Sequence, residues 1–541
     1  MRIVVKVGTS TLAHATGRLN IQRMERLCRV LSDLKNAGHE IILVSSGAIG
    51  MGVGKLNLPG RPADMPTKQA AAAVGQCELM YTYDKLFNEY NHTVAQVLLT
   101  GEDVRSEQRS RNMRNTIFRL LELGALPVIN ENDAVATDEI GVENTIGEND
   151  SLSAIVAAAI GAAMCRPDII AAYPITPQTP IVVYLADFVT GGTLDSSVSE
   201  VESELSAMSV VTGASLAGSR VFTASASQGL SLMYEPYFRA STLRLPVVMG
   251  VANREMISPQ TLWGGPQDSL TVRDAGWLQV YVEDNQEILD TMIMAYRLAE
   301  DKNVLLPINV CFDGFYLSHM SERVEIPEQD KVDQFLPKYV PEHIILDPQR
   351  PMAVDPLTNG NLLTEYRLKH MMAQQNALKL IEELDKVYGE KFGRSYGGAV
   401  EEYRCDDADY VIVTLGSMTG VAKDCVDKAR AEGKKVGLLK MRMVRPFPSE
   451  RVAKVLAGKR AYGVVDRNVS FGWNTGIIYE EICASMNRAG AYVPNIPFIA
   501  GLGGEDITAE HINYAIDRII AQDGKAEKHD TVWLNREVQR K

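Results

Sequence analysis

Several short segments of this 541-residue chain carry side chains whose types and spacing suit chemistry. The run EVESELSAM sets Glu200, Glu202 and Glu204 at alternate positions ahead of a stretch rich in Ala, Gly and Ser. Such a stretch packs closely as a helix, and Glu204 then sits beside its N-terminus. The run DIIAAYPITPQTP is apolar at first and ends in a loop with three prolines, Pro174, Pro177 and Pro180. Proline fixes φ, so this loop is stiff and presents the hydroxyls of Thr176 and Thr179 at a strand end. In VVMGVANREM, Arg254 stands just past a buried strand run, where a guanidinium offers a two-pronged fork to a carboxylate.

Nearer the start, VVKVGTSTL carries Lys6, VSSGAIG carries Ser46, and INENDAVATDEIGVENTIGEND carries Asp133 and Asn149. A Gly/Ser turn that opens a helix offers free backbone N–H groups to an anion. A lysine at a strand end neutralises a transferring phosphoryl group, and Asn and Asp side chains hold a small polar substrate. Taken singly, each segment also has a plainer reading: a stiff turn, a solvated strand face for the alternating glutamates, a surface arginine.

The elements that must position these groups alternate between strand and helix. Strand runs fall at 2–7, 40–44, 93–99 and 126–130, with helical spacing at 21–36, 68–89 and 108–123. A second series has strand runs at 168–173, 219–224, 246–251, 278–282 and 304–310. A Pro- and charge-rich stretch, 325–360, reads as an irregular connector, and 364–387 as a polar surface helix. A third series has strand runs within 409–417, 434–448 and 461–466, and the charged last residues read as a loosely held tail. This alternation predicts parallel α/β sheets.

Composition narrows the function. The formal net charge of -13 disfavours nucleic acid as a partner. No stretch approaches the roughly 20 apolar residues that span a bilayer, and MRIVVKVGTS reads as a first strand rather than a signal peptide. Seven cysteines at irregular spacing form no C-x-x-C pair, so no metal or cluster site is predicted on this chain, and a reducing cytoplasm fits.

In their order, YPITPQTP, ESELSAM, ANREM, VTLGSMTG, LLKMRMVRPFP and VVDRNVSFGWNTG resemble the alpha subunits of pyruvate (2-oxoacid):ferredoxin oxidoreductases, over about residues 165–523. That resemblance implies a thiamine-diphosphate-binding, pyrimidine-type α/β domain followed by a transketolase C-terminal-like α/β domain. It implies that Glu204 hydrogen-bonds the aminopyrimidine of thiamine diphosphate, and that Thr176 and Arg254 lie near the 2-oxoacid carboxylate. Two departures stand out: Leu205 where the family often has His, and WGGPQD (263–268) in place of a Trp-Gly-Asp-His run. No Gly-Asp-Gly…Asn pattern is present for magnesium and diphosphate. The resemblance therefore implies a cofactor shared with a beta subunit, Mg2+ and iron–sulfur clusters on beta, gamma and delta-type partners, coenzyme A and ferredoxin as co-reactants, and a chain inactive alone.

The three early clusters, with KQAAAAVGQ (68–76), resemble glutamate 5-kinase, an enzyme of proline biosynthesis with the amino-acid-kinase fold. This implies Lys6 for the phosphates of ATP, and Ser46, Asp133 and Asn149 for glutamate. The family's later nucleotide-binding segments do not follow, so the half is truncated; ATP is a ligand only if this half functions. The expected organisation is a partial kinase at 1–162, a pyrimidine-type domain at 163–325, a connector with helix at 326–404, a transketolase C-terminal-like domain at 405–525 and a tail at 526–541, with a strained or loosely packed join near 149–163. Kinase activity is the alternative function, and a non-catalytic fusion or assembly product the second alternative.

Overall fold

Runs of branched apolar residues flanked by helices of three or more turns build two separate units, Met1–Asn149 and Asp150–Lys541. The computed structural model describes residues 2–7, 20–45, 47–56, 58, 62, 64–100, 107–132, 154–320, 322–341, 343–523, 525 and 530–538.

In the first unit, β1 (Arg2–Val7), β2 (Glu40–Ser45), β3 (Val94–Leu99) and β4 (Leu126–Glu131) form a parallel sheet in the order β1-β2-β4-β3. Helices α1 (Ile21–Asn36), α2 (Ala48–Lys55), α3 (Met65–Asn88) and α4 (Glu107–Glu122) connect them. The core joins Ile41, Leu43 and Val128 of the sheet to Met24, Cys28 and Leu31 of α1 and to Leu79, Tyr83 and Phe87 of α3. The small residues of KQAAAAVGQ have a packing reason. A Cβ at Gly75 would lie 1.7 Å from the carbonyl oxygen of Ala48, so α2 and α3 touch backbone to backbone.

The second unit contains two sheets. The first holds β5 (Ile169–Ala172), β6 (Ser197–Glu200), β7 (Val221–Ser225), β8 (Val248–Asn253), β9 (Leu278–Tyr281), β10 (Ile308–Asp313) and a visitor, β14 (Met443–Arg445), in the order β14-β9-β10-β8-β7-β5-β6. All pairs are parallel except β14 with β9. The second sheet holds β11 (Val400–Tyr403), β12 (Tyr410–Leu415), β13 (Val436–Met441), β15 (Ala461–Asp466), β16 (Asn495–Ile499) and β17 (Val532–Trp533), in the order β11-β13-β12-β15-β16-β17. Of these only β11 is antiparallel to its neighbour. Strands buried on both faces need no polar alternation, as in VMGVAN, INVCFD and YVIVTL.

Three expectations change in the second unit. At the join, residues 133–153 lie outside the described residues, while α5 (Ala154–Met164) is buried around most of its girth within the second unit, and a Cβ at Gly161 would meet Met292 at 2.8 Å. Its AIVAAAIGAAM sequence is apolar on every side, as full burial demands. The connector is not wholly irregular, since Gln329–Phe335 is helical. The polar helix is longer, Gly360–Phe392, and its inner face, including Ala373, Ala377, Ile381 and Tyr388, belongs to the core. The described part of the tail, 530–538, is not loosely held: β17 extends the second sheet, Leu534 is buried, and Asn535 bonds the backbone of Gly501 and Asp506.

The two sheets are joined by the run LLKMRMVR, which leaves β13, turns at Arg442 and enters the first sheet as β14. Glu287, on helix α6 (Asn285–Ala299), meets this crossing. Its carboxylate takes Lys440 Nζ at 2.8 Å and Arg442 Nε at 2.5 Å, and all three side chains are buried. Arg442 also donates to Gly398 O and Thr291 Oγ1. Burial pushes the Glu287 carboxyl up, but the two cations outweigh it and hold it near 2. Removing one partner of such a cluster strands charge in the interior. Glu287→Ala is expected to cost about 3–5 kcal/mol, read as a large fall in the melting temperature of the second unit. Because the folded pKa lies below the usual 4.5, this contribution is present above pH 4.5 and is lost as pH falls toward 2; acid unfolding of wild type and variant should converge there.

Candidate active site

The loops that follow β5, β6, β7, β8 and β10 lie at the carboxyl edge of one parallel sheet, the edge where such sheets bind ligands. Thr176 follows β5. Glu204 follows β6 and opens α7 (Glu204–Leu216), with Ser203 as the N-cap accepting from Ser206 N. Ser227 and Gly229 follow β7, Arg254 follows β8, and Asp313 ends β10. The alternating glutamates do not form a strand face: β6 ends at Glu200, Glu202 turns back to accept from Ser206 Oγ, and only Glu204 is buried.

Glu204 is 5% exposed, and its carboxylate makes no hydrogen bond or ion pair with a described residue. It lies against Gly229, where an added Cβ would come 2.9 Å from Oε1 and 2.4 Å from Ser225 Oγ. A side chain at 229 would therefore clash with this carboxylate and with Ser225. A buried polar group normally has a partner, so one without a partner among the described residues is a candidate for a ligand donor.

Arg254 and Thr176 are brought together. The Arg254 guanidinium donates through Nη1 to Thr176 O at 3.0 Å and through Nε to Thr261 O at 2.9 Å. Nη2 makes no bond to a described residue, and burial lowers the pKa of the group. Bonded to the backbone of Arg254 is a residue that sequence reasoning passed over, Asp268, in the atypical WGGPQD run. It is fully buried and accepts four hydrogen bonds: from Ser227 N at 2.8 Å, Arg254 N at 3.0 Å, Asn253 Nδ2 at 2.7 Å and Ser269 N at 2.7 Å. One carboxylate thus ties the turn before Gly229 to the backbone of Arg254. Burial pushes the Asp268 carboxyl up to about 6, against these four bonds. The only sequence sign of it was an acid five residues after an aromatic in a Gly/Pro run.

The same run explains its glycines. A Cβ at Gly264 would come 2.6 Å from Asp313 Oδ1, and one at Gly265 would come 2.3 Å from Glu255 Oε1. Burial raises the Glu255 carboxyl to about 7. Leu205 is exposed, so the other atypical position packs against nothing in this chain's core.

Residues 160–386 match the family described as pyruvate flavodoxin/ferredoxin oxidoreductase, thiamine diP-bdg, and residues 408–512 match pyruvate:ferredoxin oxidoreductase core domain II. The chain is 46% identical over 379 residues to pyruvate synthase subunit PorA of Methanocaldococcus jannaschii, covering 70% of this chain and 95% of that one. The chain belongs to the 2-oxoacid:ferredoxin oxidoreductase alpha subunits. It is also 48% identical over 387 residues to the NADH-dependent phenylglyoxylate dehydrogenase subunit alpha of Aromatoleum evansii, over 70% of this chain and 93% of that one. Among solved structures it shares the fold of a 2-oxoglutarate:ferredoxin oxidoreductase from Magnetococcus marinus, with a TM-score of 0.56, 17% identity and 88% of each chain covered. Residues 1–166 match the amino acid kinase family, so this alpha subunit carries a kinase-like front half.

In that front half, Ser46, Asp133 and Asn149 lie outside the described residues, as does the side chain of Lys6, whose backbone pairs with Val44. Nearby, Ser45 Oγ and Tyr83 Oη share a hydrogen bond of 2.8 Å, and Asn130 Nδ2 donates to Gln76 Oε1 at 2.7 Å. Among the described residues no cluster of three or more His, Cys, Asp or Glu is placed to hold a metal, and no helix is long and apolar enough to cross a membrane.

The Asp268 bonds generate a stability prediction. Asp268→Ala leaves four buried donors without an acceptor and is expected to cost ~3 kcal/mol or more, since each orphaned group costs about 1–3 kcal/mol. Asp268→Asn keeps the shape and part of the accepting capacity and should lose less; urea denaturation of the two variants measures the order.

Proposed function

We propose that this chain supplies the substrate side of a thiamine-diphosphate-dependent oxidation of a pyruvate-like 2-oxoacid to an acyl-coenzyme A and CO2. The observation that carries the reading is Glu204, a buried carboxylate at the start of a helix, packed against Gly229 and without a hydrogen-bond partner among the described residues. A carboxylate so placed suits the edge of an aminopyrimidine, and the description of the matching family names the same cofactor. When bound, thiamine diphosphate supplies the electron sink for decarboxylation. Glu204 accepts and shares a proton with a ring nitrogen of the pyrimidine edge. Arg254, fixed by Thr176 O and Thr261 O, offers Nη2 to the substrate carboxylate, and burial strengthens that contact by excluding water. The Thr176 hydroxyl lies beside the same carboxylate.

The other half of the reaction belongs to partners. A beta-type subunit brings Mg2+ and the contacts to the diphosphate, and gamma- and delta-type subunits bring iron–sulfur clusters that pass electrons to ferredoxin in the cytoplasm. The chain alone is inactive. Glutamate phosphorylation is the weaker reading: it concerns the first 166 residues, whereas the remainder spans more than nine-tenths of the length of the relatives above.

Purified with its partner subunits, the complex should reduce a viologen dye with pyruvate and coenzyme A. Glu204→Gln should lower kcat by about 100-fold or more, the usual range for losing a positioned proton-transfer group, with assembly intact. Arg254→Lys should raise the KM for the 2-oxoacid by roughly tenfold, because a lysine cannot reproduce the fork geometry. An assembled Glu204→Gln complex with wild-type turnover would refute the reading.

A further inference from the structure

The hairpin 254–265 that carries Arg254 is held from two sides, and one of them belongs to the second sheet. Arg467 directly follows β15, at the carboxyl edge of that sheet, and is 6% exposed. Its Nη1 donates to Asp313 Oδ2 and to Ser417 Oγ, the latter at 3.0 Å. Asp313 in turn accepts at Oδ1 from Phe315 N at 2.9 Å and Tyr316 N at 2.6 Å. The same carboxylate fills the space in front of Gly264, and Gly264 forms the β-bridge to Arg254. On the other flank, Gly503 N faces Glu255 Oε1 at 3.4 Å, Gly504 lies against Trp263 Cβ, and Tyr316 Oη donates to Gly504 O at 3.2 Å. Trp263 meets the ring of Phe315 edge-on, 4.4 Å between centroids.

Among the contacts at the base of this hairpin, the one at Gly264 is made by Asp313, and Arg467 orients Asp313. Arg467 is also left with two buried donors, Nε and Nη2, without partners. Arginine is a rigid, planar, permanently charged group, so it holds the Asp313 carboxylate in one orientation where a flexible ammonium would not.

We infer that Arg467 is a positioning residue for substrate binding: acting through Asp313 and Gly264, it sets the Arg254 hairpin, so that affinity for the 2-oxoacid carboxylate depends on the second sheet. This rests on the reading of Arg254 as the carboxylate's partner. Arg467 bonds Asp313 and Ser417, so the role assigned to it acts through Asp313.

The test uses the assembled complex. Arg467→Ala is expected to raise the KM for pyruvate about tenfold while kcat falls by less than threefold, since binding geometry and not the chemical step is disturbed. Arg467→Lys keeps the ion pair and should recover part of the loss. Ser417→Ala removes one of the two bonds at Nη1 and should shift KM in the same direction by less; together with Arg467→Lys it decides the matter if Arg467→Ala fails to assemble. Hydrogen exchange is the readout independent of catalysis: amides in 254–265 should exchange faster in Arg467→Ala while β8 and β10 stay protected. If Arg254→Lys raises KM and the Arg467 and Ser417 variants do not, the positioning role is wrong and the carboxylate reading stands. If Arg254→Lys leaves KM unchanged, the carboxylate reading is wrong, and unaltered exchange in 254–265 then overturns the hold of Arg467 on the hairpin as well.

Discussion

The second unit depends on a carboxylate with two cations in a place without water. Glu287 has no exposed surface, and neither has Arg442. Taking three charges out of solvent is costly, and packed apolar side chains would bring more stability at the same place. What the cluster provides is direction. The chain must leave one sheet at Met441 and enter the other at Met443, and an apolar patch would tolerate a slip at that step. A fork between Glu287, Thr291 and Gly398 O does not, because each Arg442 nitrogen has one place to go. With β14 fixed at the edge of the first sheet, the loops of the second sheet come to rest against the loops after β8 and β10.

Two buried carboxylates at the site edge behave in opposite ways, and the difference sorts structure from function. Asp268 has every lone pair engaged by local donors and organises the backbone around it. Glu204 has none engaged, though it is nearly as deeply buried. Asp268 offsets its own desolvation within the chain, whereas Glu204 has no such partner among the described residues. That contrast is what makes Glu204, and not Asp268, the residue on which the proposed function rests.

Much of the fold was legible. Strands at 2–7, 126–131 and 461–466 announce themselves by short branched runs, and the period of the helix at 21–36 is plain. The four-residue strand SVSE was not, since polar residues at a sheet edge carry no apolar pattern. The strand expected at 304–310 lies at Ile308–Asp313, because the buried residues Val304–Leu306 pack ahead of Pro307 as a turn rather than pairing. At the site, Thr176, Glu204 and Arg254 could be named from local motifs, each at a strand end. Asp268, Asp313 and Arg467 could not, because their roles exist only across 14 to 154 residues of sequence, in bonds to Arg254 N and between each other. Sequence spacing shows which groups could act; it does not show which groups hold them.

The overlap of the two family matches, at residues 160–166, falls on the end of α5, and this is where a physical reason for the composite chain is found. A helix that packs under a parallel sheet must be apolar on all sides and narrow enough to approach its neighbours. AIVAAAIGAAM meets both needs, with Gly161 seated on Met292 and Leu289. Those requirements are generic to α/β folds, so a helix from one such family can fill the first helical position of another. What is specific begins one residue later. Arg220, itself buried and paired with Glu300, donates to the carbonyl oxygen of Cys165 at 2.8 Å. That bond fixes the end of α5 to the start of β7, and Arg220 N donates to the side chain of Asp168 at 2.7 Å just ahead of β5. These two bonds place Arg220 between the end of α5 and the start of β5, the strand that leads to Thr176.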